Sequence, residues 1–459
     1  MLLKYKTSGI RYVQYISSLA AMTTIAAVST HFVWTSPAVP QLTSANSPIG
    51  VTLNSTETSL IASLLFVGVG LGSMFASYPI EYIGRKKTLV VSMVPVTISA
   101  IVILCANSAG WLYAARIIAG TSSGLCLSVG PIYNAEISES DIRGRISNFL
   151  TIMSMVGNLY GYSVGPFVSY TTFAITLIII PVVCLFICLF IPESPYYLVK
   201  TGKKDEARAV LKKLSSDCSS EEFIDGRLAD ITQSVKVDMQ NKSSFKELFK
   251  PDYRKQLVMT VIIRMLMYSS GAYCVFSFLQ TIMDLSGSSI PSNYASIGFG
   301  ALNILAGIVS GQVVDRLGRK PLFVICCLVS AISLFVEGLY FYLYQATDFD
   351  VSSLYWLPLT ALLVYELFVV VGLLGLPFII VGEVFPLNVK GRALSLNTFL
   401  GAPLGVLAIM TFQPMSEYWG SYVPFWIYGC CCIIGFLYGI FYLPETKGKS
   451  LAEIQKQFQ

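Results

Sequence analysis

The chain has 459 residues, of which 54% are hydrophobic and 12% charged, and its 31 Lys and Arg against 26 Asp and Glu give a net charge of +5. Roughly a quarter of the residues in an ordinary soluble protein are charged, so lipid is the expected solvent for most of this chain. The polar remainder leaves no room for a soluble catalytic domain and holds no metal-ligand cluster, nucleophile with base, or phosphate loop, so an enzyme, a cofactor and a nucleic-acid partner are not expected.

A membrane-crossing helix needs about 20 apolar residues to cover about 30 Å of hydrocarbon. Runs of that kind predict spans at 12–35, 59–80, 88–106, 111–135, 146–168, 171–191, 256–283, 293–313, 321–344, 354–382, 393–414 and 421–443. They are long and continuous, which favours helices over barrel strands that alternate over about ten residues. Lys4, Lys6 and Arg11 precede the first run as they would in a secretory signal, but the run continues to Trp34 and reads as an uncleaved helix. His31, the single histidine, falls near its end and is expected to be hydrogen-bonded at the membrane interface. In the second run, "GVGLGS" at 68–73 reads as close helix packing. The eleven cysteines fall almost entirely inside apolar runs, where packing rather than disulfide formation is expected.

Apart from Arg116 and Arg264, every Lys and Arg falls in the N-terminal tail, the loops at 85–87, 143–145, 200–255, 316–320 and 390–392, or the C-terminal tail. Cationic loops stay in the cytosol, which places both termini there. The loop at 36–58 has no Lys or Arg, and Asn54 opens an Asn-Ser-Thr glycosylation sequon on its outer side.

Three motifs occur twice, offset by about half the chain. "SYPIEYIGRKK" at 77–87 matches "GQVVDRLGRKP" at 311–321, "EISESDIRGR" at 136–145 matches "EVFPLNVKGR" at 383–392, and "PESPYYL" at 192–198 matches "PETKGKSL" at 444–451. They predict two six-helix halves, 1–192 and 256–443, joined by a cytosolic linker at 193–255 and followed by a tail at 444–459. Within the linker, 203–214 is amphipathic, with Ala207, Val210, Leu211 and Leu214 on one stripe. Parallel repeats of this kind build rocking-bundle transporters that hold substrate between the halves. The duplicated charges are Glu81, Arg85, Glu136, Arg143 and Glu193, then Asp315, Arg319, Glu383, Lys390 and Glu445. They are expected to pair at the inner face and to hold the halves together when the cavity opens outward.

Two interior charges have no obvious counterpart. Arg264 stands inside "VIIRMLMYSSGAY" at 261–273, where residues 264, 267, 268 and 271 share one helix face. Facing lipid would be expensive. The residue is read either as a structural arginine, ion-paired or snorkelling about 12 Å to the inner interface, or as a cavity cation that selects an acidic cargo. Glu366 is the other interior charge and is not expected to reach Arg264.

With "RIIAGTSSG" at 116–124 and "PIYNAEI" at 131–137, the doublets resemble the sugar porter family of the major facilitator superfamily over nearly the whole chain. "VWTSPAVPQL" at 33–42 is similar to the end of the first helix in insect trehalose and glucose facilitators. The resemblance implies an all-α integral membrane fold with twelve transmembrane helices in two halves. It also implies facilitative transport of a sugar or polyol by alternating access, residence in the plasma membrane, and a monomer. Met267, Tyr268, Gly271 and Tyr273 stand where the family has its helix-seven sugar ligands, Thr151 replaces a helix-five Gln, and Phe378 replaces a Trp after Pro377. Asn303 is the one amide ligand retained. A sugar's hydroxyls need partners in a dry pocket, so the alternative cargo is an anionic, aromatic or glycosylated small molecule carried by the same mechanism. A non-transporting sugar sensor is the third reading, disfavoured by the short tail after 451. Arg116 matches a family arginine with a structural or coupling role. Proton-driven relatives place an acid on the first helix, and its absence here implies facilitated diffusion.

Overall fold

The computed structural model describes residues 12–139, 142–215, 220–240, 245–449 and 453–454, and their regular structure is helical, with no strand among them. Lys4, Lys6 and Arg11 lie outside the described residues. Six long helices come first: α1 (Tyr12–Val33), α2 (Ser55–Phe75), α3 (Arg85–Leu104), α4 (Ala109–Ile137), α5 (Arg143–Val164) and α6 (Tyr170–Leu189). After the linker come α7 (Pro251–Ser269, resumed as Ala272–Leu285), α8 (Ser292–Leu317), α9 (Arg319–Ala346), α10 (Leu357–Phe368, resumed as Leu376–Val384), α11 (Leu387–Trp419) and α12 (Tyr422–Phe441).

Among the described residues, eleven helices are long and apolar enough to cross a membrane. The exception is α5, which carries Arg143, Arg145, Asn148 and Asn158 and packs between α1 and α8. A helix lying between neighbours meets less lipid, so it tolerates polar residues that a peripheral helix would not.

Glycine sets the closest helix contact. On α2 and α4, Gly68, Gly72, Gly120 and Gly124 face each other so tightly that an added Cβ would lie 2.0–2.4 Å from a backbone oxygen of the opposing helix. Gly70, between the first two, points instead toward Ala402 of α11. The small-residue reading of 68–73 is therefore correct, and the same short stretch serves two interfaces.

Two helices are interrupted midway. In α7 the chain breaks at Gly271, with φ of 86°, a value open to glycine without penalty. The freed Ser270 carbonyl accepts a hydrogen bond from Tyr365 Oη at 2.8 Å. In α10 a π-helical turn covers Val369–Leu374, and the Val371 carbonyl accepts from Ser310 Oγ of α8 at 3.1 Å.

The linker folds as helices Lys204–Leu214 and Glu221–Gln240. Ala207, Leu211 and Leu214 are buried as the stripe predicted, with Val210 packed beside them. Gln14 Nε2 of α1 donates to Leu214 O at 2.8 Å and to Glu139 Oε1 at 3.0 Å, and Arg227 Nη1 donates to the same carboxylate oxygen at 3.0 Å. The linker is thus fastened beneath the first six helices, at what is termed the linker end of the molecule. The ten described cysteines form no disulfide.

Candidate functional site

The duplicated motifs build two matching clusters at the linker end. Gly84 and Gly318 have φ of 97° and 93°, and a Cβ on either would lie 2.5 Å from Glu193 Oε2 or 2.7 Å from Glu445 Oε2 respectively. Glycine therefore admits a carboxylate to the start of the next helix. Glu193 accepts from the N–H groups of Arg85 and Lys86 at 2.9 and 3.0 Å, and Glu445 from those of Arg319 and Lys320 at 3.0 and 3.1 Å. An anion is favoured at that position by the unpaired amides and the helix dipole. Arg85 Nη2 donates to Glu136 Oε1 at 2.7 Å and Arg319 Nη2 to Glu383 Oε1 at 2.7 Å. The hydroxyl of Ser194 bonds Glu136, and that of Thr446 bonds Glu383 at 2.6 Å.

Each cluster joins helices of the same group of six. In this structure, with its far end closed, these pairs fasten each half and do not bridge the two. Arg143 is exposed, Glu81 meets Lys200 at 3.7 Å, and the Lys390 amine lies over Gly382. The side chain of Asp315 is outside the described residues. Hydrogen bonds between the first and last six helices are found at the far end. Ser55 bonds Glu417, Thr58 bonds Gln413, Tyr162 Oη donates to Phe276 O at 3.0 Å, and the Gln280 N–H donates to Ser36 Oγ at 3.2 Å. Asn54, the sequon residue, is exposed and caps α2, its Oδ1 accepting from the Glu57 N–H at 2.9 Å.

Arg116 is fully buried and held by backbone. Its Nη1 donates to His31 O at 2.6 Å, its Nε to Ile61 O at 3.0 Å, and its guanidinium lies 5.5 Å from the Trp34 ring centre. These contacts join α1, α2 and α4. His31 is not interfacial: it is fully buried, and neither ring nitrogen has a hydrogen-bond partner among the described residues.

A narrow crevice of about 20 Å³, room for a water or two, lies between the two groups of helices. Its wall includes Phe32 of α1, Phe66 and Ser73 of α2, Ser128 of α4, Tyr268 and Tyr273 of α7, Phe378 of α10 and Thr398 of α11. Four of these rings interlock: Phe66 and Tyr273 are 4.7 Å apart between centres, Tyr268 and Tyr273 5.4 Å, and Phe32 and Phe66 5.7 Å. Ser73, Ser128, Phe378 and Thr398 lie further along their helices toward the linker end, so the rings form a roof on the far side of the cavity.

Of the expected ligands, Tyr268, Tyr273 and Phe378 line this space. The others do not. Met267 is buried against Arg264, Gly271 is turned toward the Tyr428 ring, and Thr151 packs near Gly307 on the α5–α8 seam. Asn303 and Glu366 are fully buried beside each other, and none of their side-chain polar atoms is in hydrogen-bond geometry with another described residue. Arg264 is 1% exposed, so it does not snorkel. Its guanidinium carbon sits 3.9 Å from the Phe378 ring centre, and no carboxylate among the described residues pairs with it. Sequence reasoning missed Phe32, Phe66, Ser73, Ser128 and Thr398. It also missed Glu337 on α9, a second interior carboxyl that is fully buried and unpartnered among the described residues; an acid inside "LFVEGLYFYLY" was signal enough to find it.

The sequence profile of the family described as "Sugar (and other) transporter" matches residues 13–458. The facilitated trehalose transporter Tret1 of Bombyx mori is 30% identical over 416 residues, 89% of this chain and 82% of that protein. The Tret1-2 homolog of Drosophila sechellia is 30% identical over 431 residues, 92% of this chain and 86% of the relative. Against Tret1 of Drosophila pseudoobscura pseudoobscura the 30% identity covers 92% of this chain but 48% of the relative, so the chain spans about half that protein's length. Among solved structures, the inward open conformation of the xylose transporter XylE from E. coli aligns with a TM-score of 0.79 at 21% identity, covering 96% of this chain and 99% of that one.

Proposed function

The chain belongs to the sugar (and other) transporter family, and from that membership we propose that it moves a sugar or related polyol down its gradient by alternating access. It is a multi-pass membrane protein and not an enzyme.

The observation that supports the transport reading is the crevice between the two groups of six helices, which must widen to admit cargo as the halves part. It is roofed by Phe32, Phe66, Tyr268 and Tyr273 and edged toward the linker end by the hydroxyls of Ser73, Ser128 and Thr398. Aromatic faces accept the C–H face of a sugar ring while a few hydroxyls fix its orientation. The segments 1–192 and 256–443 act as the two moving bodies. The cationic linker end faces the cytosol, so the far-end bonds from Ser55 and Thr58 to Glu417 and Gln413 close the outer side. Breaking them and parting the aromatic roof opens it. The charge clusters keep each six-helix body rigid through that motion. Residence in the plasma membrane and a monomeric state complete the reading.

No Asp or Glu occurs in α1, which supports uniport over proton symport. Labelled trehalose and glucose uptake in oocytes expressing the full chain tests this. Saturable uptake that is unchanged when the proton gradient is collapsed is expected, and no sugar uptake above water-injected cells would overturn it.

A further inference from the structure

We propose that the cargo is an acidic sugar, one bearing a ring carboxylate, and that Arg264 receives that carboxylate; this rests on the transport reading above.

The protein holds two buried arginines without an acidic partner among the described residues, and their surroundings differ in kind. Arg116 is bound by two backbone carbonyls at 2.6 and 3.0 Å, its Nη2 alone without a partner among the described residues, the environment of a structural arginine. Arg264 has no carbonyl. Its Nη2 reaches Thr398 Oγ1 at 3.5 Å and its Nη1 reaches Met267 Sδ at 3.6 Å, while Nε has no partner. The Thr398 contact is long for a hydrogen bond, and a thioether is a weak acceptor. A guanidinium presents five N–H donors in a fixed fork suited to a carboxylate, and here that fork is taken out of water with most of its donors unused. Stacking on Phe378 at 3.9 Å satisfies the face of the cation but none of its N–H groups.

The guanidinium does not itself line the crevice; Phe378 and Thr398 stand between, so a carboxylate reaches it only as the halves part. Gly401 of α11 makes room for the arginine stem, since a Cβ there would lie 2.7 Å from Arg264 Cγ. The stem is thereby led to Phe378 and Thr398, which themselves line the cavity. The guanidinium is one side chain from the space where cargo would sit. A carboxylate entering there replaces the long Thr398 contact with two short charge-assisted bonds, while the sugar ring rests on Tyr268 and Tyr273. Neutral sugars leave the fork unsatisfied.

The experiment compares labelled glucuronate with labelled glucose in oocytes expressing the full chain, with surface protein measured in parallel. Glucuronate is expected to have a KM about ten-fold or more below that of glucose, the range of one charge-assisted hydrogen-bonded contact. Arg264→Gln removes that preference and Arg264→Lys restores part of it. Where Arg264→Gln fails to reach the surface, competition on the natural chain decides: the neutral methyl ester of glucuronate is expected to inhibit uptake about ten-fold more weakly than the free acid. Glucose uptake with no carriage of, or competition by, glucuronate overturns the acidic-cargo proposal and leaves the transport reading standing. Equal inhibition by acid and ester overturns it likewise. Uptake of neither compound, nor of any neutral sugar, overturns both.

Discussion

Replacing Gly120 with alanine tests the contact between α2 and α4. An added Cβ would lie 2.0 Å from Leu65 O and 2.8 Å from Gly68 Cα, whereas carbon approaches a carbonyl oxygen in packed helices no closer than about 3.3 Å. The two backbones must therefore part by about 1 Å, because no flexible side chain stands between them to yield. Overpacking of this kind costs about 1–3 kcal/mol, and the better helix propensity of alanine offsets roughly 0.5–1 kcal/mol of it. The net expectation is a loss of about 1–2 kcal/mol, held down because the seam relaxes along its length. Thermal melting of the purified protein in detergent reads this out. Gly110→Ala is the control on the same helix, as the nearest atom to its added Cβ is 4.0 Å away. If Gly120→Ala melts with the natural chain, the backbones do not meet at this distance and the reasoning fails.

The polar interior and the charge clusters can be tested in the same way. Arg116→Gln should lower the melting temperature, since two buried carbonyls lose charged donors at roughly 1–3 kcal/mol each; retention of full stability would show that His31 O and Ile61 O find other partners. Glu337→Leu should raise stability, because it removes a buried carboxyl whose oxygens have no partner, and a lower melting temperature would argue for an unseen contact. Burial opposes the charge on Glu445, but backbone N–H groups of Lys447, Arg319, Lys320 and Thr446 outweigh it and hold the carboxyl below its usual value. A depressed folded value contributes stability above the unfolded value, about pH 4.3, and that contribution is lost as pH falls through the folded one. The melting difference between the natural chain and Glu445→Gln should therefore be full at neutral pH and shrink on acidification below about pH 4; a pH-independent difference would contradict this.

Much of the architecture was legible because lipid demands long apolar runs and because three motifs repeat in order. The glycines of 68–73 were legible too, since small residues in an apolar helix have few other uses. The cavity was harder. A membrane helix is apolar toward lipid and toward its neighbours alike, so Phe32 and Phe66 look in sequence like any lipid-facing ring. The motif acids and arginines could be named, but not which would pair: Arg85 passes over Glu81, four residues before it, for Glu136. Helix-seven positions inferred from the family face misled at Gly271, because the break there rotates the second segment of α7 and turns the Gly271 Cα toward Tyr428.

Glu193 and Glu445 perform the same task with the same partners in two places. The molecule thereby carries its own replicate experiment. Charge, acceptor geometry and the glycine beneath are alike, so Glu193→Gln and Glu445→Gln impose nearly one chemical insult twice. Whatever separates their effects on turnover, beyond each one's third donor, the Ser194 N–H at 2.9 Å or the Lys447 N–H at 2.8 Å, does not come from the shared bonds. It measures how unequally the work of transport is divided between the two groups of six helices.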